Sequence, residues 1–187
     1  MAARRSTQLT FFGDSNSKDQ FGGDIKGKRK IKRPVATKRP MHITMRSERA
    51  RGTFSMLTRR NPAKVSAIVS LNARCYRVKV FEWVNVGNHI HLLVQAQSRE
   101  GFANFLRRVT CEIALAVTGA RKGNRFGKFW TGLAFSRIVP WGRGFDTVKR
   151  YLELNRLEAA GIPRRHGMQL LQARSEKVFC STLKAGP

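Results

Sequence analysis

Acidic residues are scarce in this chain. Eleven Asp and Glu stand against 37 Lys and Arg, a formal net charge of +26 and a pI of about 11.6. A surface so poor in negative charge suits a polyanion, so nucleic acid is the first partner expected. No strong basic amphipathic helix stands alone, which argues against a membrane-surface role. Cysteine is nearly absent as well. Cys75, Cys111 and Cys180 are odd in number and widely spaced, with no CxxC pattern. That excludes a disulfide framework and a Cys-based zinc site, and reduced thiols in a cytoplasmic compartment are expected. No apolar run is long enough to span a bilayer. The charged start Met1-Ala2-Ala3-Arg4-Arg5 has no apolar stretch behind it, so no secretory leader is expected. Tyrosine is rare: Tyr76 and Tyr151 are the two phenols the chain offers.

What is present is enough hydrophobic residue, 41% of 187, for one core plus tails. Residues 1–40 mix Gly22-Gly23 with the run Lys26 to Arg33 and bury too little apolar surface to offset their ordering entropy, so a basic, disordered tail is expected there. Residues 41–162 carry the periodic segments of a folded domain, and 163–187 read as a basic C-terminal tail with a helix around Met168 to Val178. Within the domain a short strand is expected at Met41 to Arg46 and a helix over Pro62 to Asn72. Cys75 to Val84 alternates as a strand, with Tyr76, Val78, Val80 and Glu82 on one side and Arg77, Lys79, Phe81 and Trp83 on the other. A turn at Val86-Gly87-Asn88 leads into a strand from His89 to Gln97. Ser98 caps a helix with apolar positions Phe102, Phe105, Leu106, Val109, Ile113 and Val117, ended by Gly119. Leu133 to Val139 is a further strand stopped by Pro140, and Phe145 to Ala160 a last helix with Gly161 and Pro163 as its stop. The order β-α-β-β-α-β-α predicts an α+β fold. Its first six elements match the ferredoxin-like split βαβ arrangement, an antiparallel sheet with helices on one face, and the C-terminal tyrosine-bearing helix lies beside that sheet.

The chemistry concentrates in Asn88-His89-Ile90-His91-Leu92-Leu93-Val94. Residues two apart on a strand share a face, so His89 and His91 project together and can share one metal ion. A His-x-His on a strand is by itself more often a surface or hydrogen-bonded feature than a metal site. Two imidazoles do not close a zinc site, but with one oxygen ligand, water and phosphate they suit Mg2+ or Mn2+ catalysis. His42 and His166 stand alone in the sequence and are read as non-catalytic. On the last helix Tyr151 and Asn155 are four apart and share a face; the phenol can attack phosphorus and the carboxamide oxygen can serve as a third metal ligand. Arg107, Arg108, Arg121, Lys122, Arg125, Arg164 and Arg165 are candidate phosphate contacts. Trp130, Phe129 and Trp141 are candidate stacking rings, although a core needs such rings too.

Together these segments resemble the REP-associated branch of the single-tyrosine HUH transposases. Asn88 to Val94 resembles their His-hydrophobic-His motif, and Tyr151-Leu152-Glu153-Leu154-Asn155-Arg156 their tyrosine helix. The strand His42-Ile43-Thr44-Met45-Arg46 and the run Gly127-Lys128-Phe129-Trp130, before a strand containing Ser136-Arg137, support the likeness. The resemblance covers about two-thirds of the chain, from His42 to Gly161. It departs at Gly87 and Arg156, where the family has prolines, and at residues 131–135, less basic and less aromatic than the pattern. The resemblance implies a divalent metal, Mg2+ or Mn2+, held by His89, His91 and Asn155. It also implies Tyr151 as nucleophile on single-stranded or hairpin DNA, retaining the 5′ phosphate. From the residues themselves, Arg107, Arg108, Arg121, Lys122, Arg125, Trp130 and Arg137 are expected on the DNA, and a monomer or homodimer is expected as the working unit. Two alternatives remain open: a non-catalytic nucleic-acid-binding protein or inactivated relic on the same fold, and another HUH nuclease. A relaxase is disfavoured by the lack of a third motif histidine.

Overall fold

The computed structural model describes residues 17–23 and 32–173. Five strands, β1 (Gln20–Gly23), β2 (Met41–Arg46), β3 (Val78–Asn85), β4 (His89–Ala96) and β5 (Leu133–Ile138), form one sheet in the order β1-β5-β2-β4-β3, with every neighbour antiparallel. The four strands β5-β2-β4-β3 have the split βαβ order expected from the sequence. Helices α1 (Asn61–Cys75) and α2 (Arg99–Thr118) lie on one face and α3 (Arg143–Ala159) on the other. Alternation produces this arrangement. Met41, Ile43, Met45, Ile90, Leu92, Val94 and Ala96 point into the core made with Val65, Val69, Phe102, Phe105, Val109 and Ile113. Leu93 and Val84 point the other way, into a second cluster with Val148, Tyr151 and Leu152.

Local chemistry ends the elements where the sequence expects in most cases. The Ser98 hydroxyl accepts from the Gly101 amide at 2.9 Å, and Gly119 adopts the left-handed conformation that closes α2. Asn72, buried on α1, donates to Glu112 of α2 at 2.8 Å and to the Ile68 carbonyl at 2.9 Å, a satisfied polar tie between the two helices. At the β3–β4 turn Gly87 has φ +94°, a conformation that would strain any side chain. The turn is held by the loop after β2, with the Met56 amide donating to the Gly87 carbonyl at 2.9 Å and the Ser47 amide to the Asn88 carbonyl at 2.8 Å.

Four expectations are corrected. Part of the stretch read as a tail is ordered: β1 pairs with β5, and the Arg33 guanidinium lies 4.5 Å from the Phe21 ring centroid and donates to Ser136 and to the Ala134 carbonyl. Gly22 makes the close approach to β5 possible, because a Cβ there would stand 2.1 Å from the Ala134 carbonyl oxygen. Helix α1 continues to Cys75, so Cys75 to Arg77 are not strand; Ala73 extends the buried stripe, and the Tyr76 amide closes the last turn on the Asn72 carbonyl. Strand β3 carries a bulge between Val80 and Glu82, opposite Val94 and Leu93. The extra residue reverses the alternation, so Glu82 joins the α3 face and Trp83 returns to the α1–α2 core. At the C-terminal end residues 164–173 are helical, earlier than the helix expected from Met168; positions 174–178 of that expectation and Cys180 lie outside the described residues. Among the described residues no helix is long and apolar enough to cross a membrane.

Candidate active site

His89 and His91 are neighbours on the α3 face of β4, the strand paired with β2 and β3. Their rings meet at right angles with centroids 4.8 Å apart. Tyr151 comes down from α3 onto the same face, its ring 5.4 Å from that of His91. Asn155, one turn later, is buried and donates through its side-chain nitrogen to the Tyr151 carbonyl at 2.7 Å. That bond commits the nitrogen to the helix and leaves the carboxamide oxygen as the group able to serve a cation. Arg156, where the resembled pattern has a proline, pairs with Glu82 and donates to the Trp83 carbonyl at 3.2 Å, fastening α3 to β3.

The structure adds a residue that sequence reasoning set aside. His42 lies in β2, and its Nε2 stands 3.2 Å from His91 Nδ1 with the two rings stacked at 5.3 Å. Thr44 Oγ1 reaches the same Nδ1 at 3.0 Å. His42 is also 6.0 Å, centroid to centroid, from the Tyr151 ring. His42 and Thr44 are two apart, so they share the face of β2 that meets His91 across the ladder. The signal in the sequence is that shared parity, usable once β2 and β4 are known to be neighbours.

Hydrogen bonding decides which nitrogens keep a lone pair. His89 Nδ1 lies 2.6 Å from the Asn88 side-chain oxygen, which can only accept, so Nδ1 carries the proton and Nε2 the lone pair. His91 uses Nδ1 toward Thr44 and His42. Its Nε2 is fully buried and has no hydrogen-bond partner, an arrangement rare enough to call for a ligand. All three rings are neutral at pH 7. Burial, then the Arg137 charge, pushes His42 down to about 3; burial, then Arg46, pushes His89 down to about 4. Burial, then His42 and His89, holds His91 well below the usual imidazole range. Neutral imidazoles with Nε2 lone pairs and with Nδ1 engaged elsewhere are the donor chemistry a divalent cation requires, so the residues fit one. The fit rests on His89, His91 and the Asn155 oxygen. Among the described residues no three His, Cys, Asp or Glu side chains are grouped to hold a metal, and His42 faces the far nitrogen of His91 rather than the space beyond Nε2.

The basic candidates separate. Arg137 is half-buried on β5, opposite His42 in the ladder and on the same face as the site. Arg107 and Trp130 lie on the other side of the sheet, in a groove of about 500 Å³ between α2 and β5 that Arg33, Arg46 and Arg99 also line. The Trp130 indole donates to the Thr110 carbonyl at 2.8 Å and packs on the core, and Phe129 is buried, so neither ring is presented as a free stacking surface. Arg108 is paired with Glu112 at 2.8 Å, and Arg164 with Glu158 at 3.0 Å. Arg121, Lys122 and Arg125 are exposed in the tight loop after α2, where Arg121 and Asn124 bridge each other. Tyr76 packs against the α1–α2 core, across the sheet from the histidines.

No protein-family model matches the chain, and no curated protein matches it. Among solved structures the fold is similar to that of a REP-associated tyrosine transposase bound to a REP hairpin. The TM-score is 0.55 at 12% identity, over 68% of this chain and 72% of the other. That likeness establishes the fold: a five-stranded antiparallel sheet in an α+β chain shared with a DNA transposase.

Proposed function

We propose that this chain is a metal-dependent tyrosine transposase that cleaves and rejoins single-stranded or hairpin DNA through a 5′-phosphotyrosine intermediate. The observation that carries the reading is the convergence of His89, His91 and Tyr151 on one face, with the buried His91 Nε2 left without a partner. Fold similarity to a hairpin-bound transposase supports the same class.

A divalent cation, Mg2+ or Mn2+, held by His89, His91 and Asn155 would supply Lewis-acid polarisation of the phosphodiester. The chain's own groups do the rest. The Tyr151 oxygen attacks phosphorus in line and loses its proton. The bond to the 3′ oxygen breaks, the upstream strand leaves with a 3′-hydroxyl that takes up the proton, and the downstream strand stays on the phenol through its 5′ phosphate. Because one phosphodiester replaces another, a different 3′-hydroxyl can reverse the step and join new strands. Arg137 adds positive charge beside the face on which the phosphate must sit. Arg107, Arg121, Lys122 and Arg125 remain available for more distant phosphates, and Arg108 is the weaker candidate because Glu112 already holds it.

A binding-only protein is the second reading, and one observation favours it: Tyr151 is only 5% exposed, so its phenol is covered in this conformation. The two readings part in one experiment. A labelled single-stranded hairpin is incubated with the protein and Mn2+, then scored for cleavage and, separately, for retention. His91→Ala or EDTA is expected to abolish cleavage while retention persists, because the phosphate contacts lie elsewhere. Full cleavage by His91→Ala in EDTA would end the metal reading, and retention without cleavage by the intact protein would favour the binding-only one.

A further inference from the structure

One aromatic cluster lies at the edge of the apolar cluster under α3 and has no part in holding the histidines. Phe81 from β3, Trp141 from the segment before α3 and Phe145 from the first turn of α3 pack ring to ring. Centroids lie 5.6 Å apart for Phe81–Trp141, 5.1 Å for Phe81–Phe145 and 5.1 Å for Trp141–Phe145. Trp141 is 48% exposed. Its indole nitrogen donates to the Lys38 carbonyl at 2.9 Å, so the ring is held out in one orientation rather than left to rotate. Two ammonium groups stand over the cluster: Lys79 lies 4.9 Å from the Phe81 centroid and Lys149 5.8 Å from that of Phe145. Phe145 and Tyr151 are six residues apart on one helix and pack on the same apolar cluster, about 9 Å along the axis.

We propose that Phe81, Trp141 and Phe145 form a stacking platform for unpaired bases of single-stranded DNA beside the bond that Tyr151 would attack, with Lys79 and Lys149 meeting the flanking phosphates. The proposal rests on the transposase reading and adds to it the place where the unpaired strand is held. Every base offers a face to a fixed aromatic ring, and a cation beside the ring serves the backbone that follows. Charge decides the occupant. The chain carries +26, so a second copy of it would be repelled from a lysine-flanked patch, whereas a polyanion is attracted. Continuity with the Tyr151 cluster sets the patch beside the bond to be cut.

The test compares a blunt hairpin with the same hairpin carrying an unpaired extension, by fluorescence anisotropy at fixed salt. The wild type is expected to bind the extended DNA more tightly. Trp141→Ala is expected to weaken that complex roughly tenfold or more, within the range of a lost base–ring stack. It should leave blunt-hairpin affinity unchanged, and Trp141→Phe is expected to retain most of the gain. Lys79→Gln with Lys149→Gln leaves the rings in place and should weaken the extended complex and reduce its salt dependence. Equal affinities of wild type and Trp141→Ala for the extended DNA would overturn the platform, as would an equal loss on both DNAs. A wild-type dimer that Trp141→Ala turns into a monomer would assign the patch to self-association and overturn it too. Covalent adduct formation at Tyr151, scored separately, reports the underlying function, so a failed platform and a failed transposase give different results.

Discussion

His42 is expected to act through His91, and the contacts set the size of the effect. His91 Nδ1 has two neighbours, Thr44 Oγ1 at 3.0 Å and His42 Nε2 at 3.2 Å. Together they orient the ring and keep Nε2 turned toward the proposed cation. Removing a hydrogen-bond partner of a metal-ligating histidine weakens metal binding by about 10- to 100-fold. His42→Phe keeps a ring of similar bulk in the stack but leaves Thr44 in place, so a loss near the lower end, about tenfold, is expected in Mn2+ affinity. Thr44→Val removes the other partner with little change of shape. The double variant leaves His91 Nδ1 buried and unsupported, and about a hundredfold loss is expected. Isothermal titration with Mn2+ measures both, and thermal melting checks that each variant folds. Histidine 15N spectra of the metal-free protein add a readout that simple packing damage would not produce, a changed tautomer balance at His91. Unaltered Mn2+ affinity in the folded double variant would refute the reasoning.

Further outcomes concern acid, salt and packing. His42 and His89 titrate in the fold near 3 and 4, below the ordinary 6.5, and His91 is lowered as well. The unfolded chain therefore binds more protons below about pH 6.5, so stability is complete above that pH and is lost as pH falls toward 4, by about 1.4 kcal/mol per unit for each imidazole in its window; melts in EDTA between pH 7 and 4 measure this, and a flat profile would contradict it. Affinity for single-stranded DNA should fall with salt at a log–log slope of roughly −0.7 per phosphate neutralised. Changing Lys26, Lys28, Arg29 and Lys30 to Gln, which leaves β1 intact, should flatten that slope and preserve hairpin preference; loss of the preference would make that segment a recognition element. Gly101→Ala would place a Cβ 2.8 Å from the Tyr76 carbonyl oxygen, and a destabilisation of about 1–3 kcal/mol is expected by thermal or urea denaturation.

Periodicity made most of the fold legible. The alternation of β4 places His89 and His91 together, and the helical stripe of α3 puts Tyr151 and Asn155 on one side. Both are local patterns within a few residues, which a single sequence displays directly. Three features depended on contacts between distant segments and were hidden. Strand β1 is four residues with two glycines, too short to show alternation, and it exists because β5 offers an open edge. The bulge in β3 is defined by its partner, since only the pairing with Val94 and Leu93 shows that Phe81 is extra. His42 gains its meaning from a residue 49 positions away. The aromatic rings divided for a similar reason. Phe129 and Trp130 look as available as Trp141 in the sequence, and only packing assigns the first two to the core and leaves the third exposed.

The central claim is that Tyr151 is a nucleophile toward DNA, and mapping a trapped adduct tests it most directly. The protein is incubated with hairpin DNA and Mn2+, denatured, digested and sequenced by mass spectrometry. The expected result is a nucleotide on Tyr151, absent in Tyr151→Phe and preserved in Tyr76→Phe, whose phenol lies across the sheet from the histidines. DNA attached at Tyr76 or at a serine would contradict the account, as would no adduct from the intact protein across metals and hairpins.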